Sequence, residues 1–387
     1  MRKKNFFFLA LAATAMMAMS SCTNNDDLTA ENAAPQSHDM FFTVNHENPT
    51  RGTATTLSNF EVTDNTFMVF GYYSTTATGS GVTAGGRYVG TSDILGTVIK
   101  YDGTKWDYNS PADKKLWPVA TAPLNFQAVS PTDAGTIINT PADNVAKLGM
   151  TITVPAGNSA QKDVIFGHAE GLTFDANGAV VPLTFEHALS QVLFQAKCNE
   201  AGMTAVINGV KVCNAKSTAN IGYLGDLTDD RRALAVENIG AAADKYAIGL
   251  VGGAAVTVPG TTAADLCATD GVLLMIPQSG ADAWSVATDG SSISDADDAK
   301  QTYLEVECKL YYTDSNEYIF GDASTFKKVY IPFTIDWNIG KKYTYVLNFG
   351  SGAGGYDEDG NQQMNYISYS VGSVGNWEPV SGGTVDF

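Results

Sequence analysis

The chain has 387 residues with 23 Lys and Arg against 41 Asp and Glu, a formal charge of -18. So acidic a surface repels phosphate backbones and anionic headgroups, which excludes nucleic acid as a partner. Hydrophobic residues make up 44% and charged residues only 17%, with 38 glycines, a balance that suits strands joined by turns and predicts an all-β protein with apolar content for two cores.

The N-terminus opens on Met1-Arg2-Lys3-Lys4 and the apolar run Phe6-Phe7-Phe8-Leu9-Ala10-Leu11-Ala12-Ala13. A basic start followed by an apolar stretch is the pattern of an export signal. The stretch stops at Ser20-Ser21-Cys22, short for a bilayer-spanning helix, so residues 1–21 are predicted to be removed as a signal peptide. Their loss takes away three basic residues and no acid, moving the charge from -18 to -21. Ser20-Ser21-Cys22 resembles a bacterial lipobox, which implies acylation of Cys22; the alternative is an ordinary cleavage that leaves Cys22 an incidental thiol. Residues 22–39 are polar and acidic, as a flexible tether between lipid and fold should be. Asp26-Asp27 resembles the signal that sends Bacteroides-type lipoproteins to the outer face of the outer membrane.

Beyond the tether, period-two alternation recurs between turn signals. Strands are predicted at Met40-Phe41-Phe42-Thr43-Val44, at 67–73, and at 98–101, which turns through Asp102-Gly103 into 105–108. The Asp-Gly pair is expected to supply the positive backbone angles of a tight hairpin. Further strands are predicted at 124–129 and 150–154. A second set covers 180–185, 191–197, 273–276, 303–307, 329–333, 343–349 and 366–371. In 191–197, Val192, Phe194 and Ala196 share one face and Gln191, Gln195 and Lys197 the other, the mark of a half-buried antiparallel strand. Two groups of short strands predict two tandem β-sandwiches, residues 40–180 and 181–387.

Chemistry is sparse. There is no Gly-x-Ser-x-Gly elbow and no His-Glu-x-x-His helix, and His38, His46, His168 and His187 are the only histidines. No catalytic residue, cofactor site or metal site is therefore assigned, and no enzyme activity is expected. Gly350-Ser351-Gly352-Ala353-Gly354-Gly355 has the spacing of a dinucleotide fingerprint, but acidic Tyr356-Asp357-Glu358-Asp359 follows where a helix would have to start. The clusters Asp357-Glu358-Asp359 and Asp295-Asp297-Asp298 lack the spacing of a calcium loop and are expected to be solvated turns. Apart from Cys22 there are Cys198, Cys213, Cys267 and Cys308. Export permits disulfides, yet Cys198 is in phase with Phe194 and Ala196, and Cys308 with Leu304 and Val306, so buried free thiols are preferred.

Phe185-Glu186-His187-Ala188-Leu189-Ser190-Gln191-Val192-Leu193-Phe194 resembles a strand of the fimbrillin-like lipoproteins, the type V pilins of Bacteroidales. Agreeing in order are Trp117-Pro118, Phe126-Gln127-Ala128-Val129-Ser130-Pro131, Asp163-Val164-Ile165-Phe166-Gly167, Asn208-Gly209-Val210-Lys211-Val212 and Asp336-Trp337-Asn338-Ile339-Gly340 with Lys341-Lys342-Tyr343-Thr344-Tyr345. The resemblance implies two transthyretin-like sandwiches, exported as a lipidated precursor by the lipoprotein machinery and cut at the cell surface by an extracellular arginine-specific protease. It also implies that the cut frees the first strand, and that the groove then accepts a strand from another pilin subunit, self or accessory, in a fimbrium.

Mapped onto this chain, Phe41, Phe42, Thr43 and Val44 are the candidate displaced strand, and the Arg51-Gly52 bond is the candidate cleavage site. Val385 and Phe387 in the C-terminal tail are a candidate donor strand, or simply part of the last strand of the second sandwich. Stalk and tip roles both stay open. The alternative function is a non-polymerising surface lipoprotein that binds glycan, with Tyr72, Tyr73, Trp106 or Trp284 stacking on sugar.

Overall fold

Alternating apolar and polar residues become strand after strand in a computed structural model of the chain. It describes residues 39–45, 60–74, 76–79, 81–90, 95–118, 122–133, 135–139, 148–224, 233–240, 243–286, 292–350, 355–364 and 367–377. The first part of the chain builds β1 (Phe41–Asn45), β2 (Thr66–Tyr73), β3 (Arg87–Val89), β4 (Thr97–Tyr101), β5 (Trp106–Tyr108) and β6 (Leu124–Ser130). After β7 (Gly135–Asn139) and β8 (Gly149–Thr153), β9 (Ile165–Leu172) and β10 (Val180–His187) complete an eight-stranded sheet ordered β3-β2-β4-β5-β1-β10-β9-β6. Because β6 also pairs with β2, the sheet closes on itself and leaves β3 as a side branch.

Closure places every second residue inside. Phe42, Phe60, Phe67, Trp106, Phe126 and Phe185 meet there in a buried aromatic core, with Phe67 contacting Phe42, Phe60, Trp106 and Phe185 at ring-centroid distances of 6.2, 6.4, 4.9 and 5.5 Å. Space for such rings is made by Gly167, where an added Cβ would stand 2.8 Å from the Phe185 ring. The Asp102-Gly103 turn differs from the expected tight pair. Only Gly103 takes a positive φ, 100°, and the loop is held by Asp102, whose Oδ1 accepts from Thr104 N (2.8 Å) and Lys105 N (2.9 Å). An Asx-type side-chain cap therefore does what a second left-handed residue would have done.

The rest of the chain adds β11 (Ser190–Cys198), β12 (Met203–Lys216), β13 (Thr218–Gly222), β14 (Ala235–Glu237), β15 (Ala243–Ala247), β16 (Val256–Pro259), β17 (Ala264–Asp265), β18 (Leu273–Met275), β19 (Tyr303–Tyr312), β20 (Tyr318–Phe320), β21 (Lys327–Pro332), β22 (Lys341–Phe349), β23 (Gly355–Tyr356), β24 (Gln362–Met364) and β25 (Ile367–Asn376). One sheet runs β17-β11-β22-β25 with β18 also on β11, and another runs β15-β12-β19-β21-β23-β24 with β16 and β20 beside it. Their inner faces share a core in which Val192, Phe194 and Ala196 of β11 join Ile207 and Val210 of β12 and Leu304 and Val306 of β19. This is a sandwich of two sheets. A four-stranded sheet, β14-β13-β8-β7, takes strands from both parts of the chain. Residue 180, the expected division, is the first residue of β10, whose Val181, Leu183 and Phe185 lie in the aromatic core of the first sheet.

The acidic clusters do structural jobs. Asp295 forms the capping box of the short helix Ile293–Asp298. Asp297 accepts hydrogen bonds from Lys245 Nζ (2.7 Å), Tyr303 Oη (2.8 Å) and Asn214 Nδ2 (3.0 Å). Partial burial would raise its pKa, but these donors hold it below the usual carboxylate range. Asp357 accepts from the backbone of Asp359 (3.0 Å) and Asn361 (2.8 Å) within its own turn. After the glycine-rich stretch comes β23, a strand paired with β21, and not a helix. Cys198, Cys213, Cys267 and Cys308 are free thiols, the arrangement preferred from the phase of Cys198 and Cys308; Cys198, Cys213 and Cys308 are buried and Cys267 partly so.

Phe67→Ala is expected to cost about 3–5 kcal/mol, as for other buried rings, read as a fall in the urea midpoint at unchanged slope. Burial pushes the Cys213 thiol up to about 12 and the Cys267 thiol up to about 11, so both stay protonated at pH 8. A thiol reagent at that pH should label these cysteines within minutes only after unfolding; rapid labelling of the native protein would contradict the packing.

Candidate functional site: the slot filled by the first strand

Closure of the first sheet runs through β1, which stands between β5 and β10. It runs parallel to β10, from Phe41 opposite Val180 to Asn45 opposite Thr184, and touches β5 in a single antiparallel pair, Phe42 with Trp106. A parallel neighbour has no hairpin to hold it. Its attachment comes from backbone pairing and from the side chains it buries.

Those side chains alternate. Met40, Phe42 and Val44 are buried in the aromatic core, whereas Phe41 is half-buried and Thr43 exposed. Phe42 is 2% exposed and makes edge-on contacts with Phe67, Tyr108 and Phe126 at 6.2, 5.7 and 6.1 Å. On the outer face, Lys105 Nζ lies 5.8 Å from the centre of the Phe41 ring. At its start the strand is pinned by Met40 N donating to Lys115 O (3.0 Å) and Phe41 N to Ala179 O (2.9 Å). Each buried side chain is worth about 1.5–3 kcal/mol of transfer free energy, and each backbone bond about 1 kcal/mol net. Without β1, β5 and β10 would present unpaired backbone edges across an apolar slot.

The other end of β10 is locked. His187 is buried, hydrogen-bonds through Nδ1 to Asp163 Oδ2 (2.9 Å), and stacks on Trp377 with ring centroids 4.1 Å apart and planes 5° from parallel. Trp377 directly follows β25, and its backbone N donates to Gly340 O (2.7 Å). Gly340 N in turn donates to Leu189 O (3.1 Å), and Ser190 Oγ to Asn338 O (2.9 Å). The passage from β10 to β11, the segment before β22 and the end of β25 thus meet at one joint. No local pattern in the sequence pairs His187 with Asp163 and Trp377, which lie far from it in the chain.

The candidate strand Phe41, Phe42, Thr43 and Val44 is β1. Cys22, Arg51, Gly52, Val385 and Phe387 lie outside the described residues. The rings expected to stack on sugar are corrected: Tyr72, Trp106 and Trp284 are buried, Trp284 to 1% exposure, and Tyr73 packs on Tyr88 at 5.3 Å. β2, which carries Tyr72 and Tyr73, faces a core on both sides, so its paired aromatics read in sequence like an exposed platform. An open depression of about 720 Å³ on the outer face of β9 and β10 is lined by His168, Glu170, Thr184 and Glu186; His168 Nδ1 there hydrogen-bonds with Tyr223 Oη (3.2 Å).

A sequence profile described as fimbrillin-like matches residues 50–368. The chain belongs to the fimbrillin-like family. Among solved structures it is similar to a fimbrial protein from Bacteroides vulgatus, at 15% identity, covering 88% of this chain and 99% of that one with a TM-score of 0.58. It also matches a candidate cell adhesion protein from Bacteroides ovatus at 12% identity, over 89% and 98% of the two chains with a TM-score of 0.43. The fimbrial anchor protein Mfa2 from Porphyromonas gingivalis matches at 10% identity, over 90% and 100%, with a TM-score of 0.30. No functionally curated protein is similar in sequence. The first likeness supports the two-sandwich, all-β architecture of this fimbrillin-like chain.

Trp377→Ala should cost about 3–5 kcal/mol, since it removes a buried ring and opens the His187–Asp163 pair to water. Trp377→Phe, which keeps an aromatic face over the imidazole, should cost less than half of that in the same urea titration.

Proposed function

We propose that this fimbrillin-like chain is a subunit of cell-surface fimbriae, working in adhesion as a structural protein and not as an enzyme. It is exported as a lipoprotein acylated on Cys22, anchored through the tether 22–39 at the outer face of the outer membrane, and cut between Arg51 and Gly52 by an extracellular arginine-specific protease. The cut severs β1 from the rest of the fold, and a strand from another fimbrial subunit takes its place. Val385 and Phe387 are the residues this chain offers in return.

The observation that carries the proposal is the placement of β1. A five-residue strand, held in parallel on one side and by one residue pair on the other, closes an aromatic core. Such a strand is separable, and the slot it leaves is a site for strand addition, where backbone bonds give affinity and alternate side chains give selectivity. Tyr72, Trp106 and Trp284, candidates for sugar stacking in the alternative reading, are buried and not available for it.

N-terminal sequencing of the protein recovered from cells tests this directly. Gly52 is expected as the first residue of assembled material, and denaturation-resistant ladders formed after cleavage should vanish in Arg51→Ala. Fibres whose subunits retain an acylated Cys22 would overturn the proposal.

A further inference from the structure

The longest strand at the edge of a sheet is β25. The strands β3, β17, β15, β24, β14 and β7, which end the other sheets or the far side of its own, have two to five residues, and β25 has ten. Among the described residues β22 is its one strand partner, so its outer side is a row of unpaired backbone groups. Such edges are ordinarily blunted by charge, above all lysine, or by proline. From Met364 to Trp377 the chain has no charged residue and no proline, and the stretch Ser370-Val371-Gly372-Ser373-Val374-Gly375 repeats itself. Lys341, on the neighbouring strand, bonds back to Asn376 Oδ1.

The core-facing side of β25 outruns its cover. Ile367, opposite Phe349, is fully buried, and Tyr369 packs on Phe333 at 5.1 Å. Further along, Val371 and Val374 stand opposite Tyr345 and Tyr343, whose rings lie in the core, so both valines share the core-facing side. Yet they are 53% and 55% exposed.

Residues three apart point to opposite faces of a regular strand. Here the register shifts at Gly372, with Tyr345 opposite Val371 and Thr344 opposite Ser373. The extra residue resets the phase and puts both valines on one face. Gly372 is held to that place by its own sheet, since an added Cβ would stand 2.8 Å from the Val346 side chain. The bulge also makes the strand complementary to itself, as a two-fold contact requires. When two copies of β25 pair antiparallel about an axis between Gly372 and Ser373, Val371 stands opposite the partner's Val374, and Ser370 opposite the partner's Gly375. The same pairs recur on the other side of the axis. All four valines then lie together on the core-facing side, and their cross-strand contacts add to the backbone bonds.

We propose that the free edge of β25 binds a second copy of this chain, β25 against β25, joining two subunits side by side through one continuous sheet. A net charge of -18 sets two copies against each other, and this uncharged edge lets them meet without opposing like charges. The contact does not involve β1 and stands whether or not β1 is removed.

The test mixes two variants of the full chain, Val371→Cys and Val374→Cys, each carrying Cys22→Ser so that neither an acyl anchor nor its thiol takes part. Directly opposed residues of antiparallel strands have Cα atoms about 4.5–5.5 Å apart, within reach of a disulfide. Under mild oxidation with oxidised glutathione the mixture should give a linked dimer on non-reducing electrophoresis, with the 371–374 bond identified by mass spectrometry. Either variant alone should give roughly tenfold less, because like positions lie about 10 Å apart along the strand, too far for a disulfide. In a sedimentation concentration series the parent chain with Cys22→Ser should dimerise. Adding Val371→Lys and Val374→Lys, which charges the edge, should leave it monomeric at an unchanged urea midpoint, since both side chains are exposed. Equal cross-linking of either variant alone, a parent chain that stays monomeric, or lysine variants that dimerise as well would each overturn the inference.

Discussion

A sheet that closes on itself has no edge, and in the first sandwich the closure runs through β1. Its Phe42 meets Phe67, Tyr108 and Phe126 inside, and its backbone joins β10 to β5 outside. Both contributions come from non-local contacts, since a parallel strand gains nothing from a tight turn. The strand is therefore thermodynamically essential to the closed core and yet covalently connected only through the chain that follows it into residues 46–59. Packing and hydrogen bonds hold β1 in place, and in the proposed function the cutting of a peptide bond is what lets it leave.

The joint at the far end of β10 has the opposite character. His187, Asp163 and Trp377 come from three separate parts of the chain, and all three are buried. A buried imidazole needs its hydrogen-bond partner, because an unpaired polar group in that position costs about 1–3 kcal/mol; Asp163 supplies the bond and Trp377 the face. This joint ties the end of β25 to the first sandwich, although the rest of β25 belongs to the edge of another sheet, where Val371 is 53% exposed. The geometry brings the end of β10 and the end of β25 together.

Much of the fold was legible in advance. Alternation located β1, β2, β6, β11, β19 and β22 because each keeps one face in a core over its whole length. The longest strand, β12, escaped the same reasoning. Its register shifts between Ile207 and Gly209 and again between Cys213 and Ala215, where Asn214 adopts a φ of 61°. Each bulge reverses the phase of the apolar pattern, so a period-two search loses the strand. The four-stranded sheet that mixes β7 and β8 with β13 and β14 was invisible for a different reason, since pairing between distant segments leaves no local periodicity.

For function the division follows the same physics. The order of local motifs, from Trp117-Pro118 through the stretch around His187 to Asp336-Trp337, identified the family, and the alternation of Phe41, Phe42, Thr43 and Val44 by itself determined a strand with one apolar face. Composition and charge determined which partner class to exclude. Only the tertiary structure decided that this strand closes a ring between β5 and β10, that Trp106 and Trp284 are core residues and not a sugar platform, and that Trp377 caps His187. Local pattern is written by one strand's own burial, but the identity of its neighbours depends on contacts between residues far apart in the chain, which no single stretch encodes.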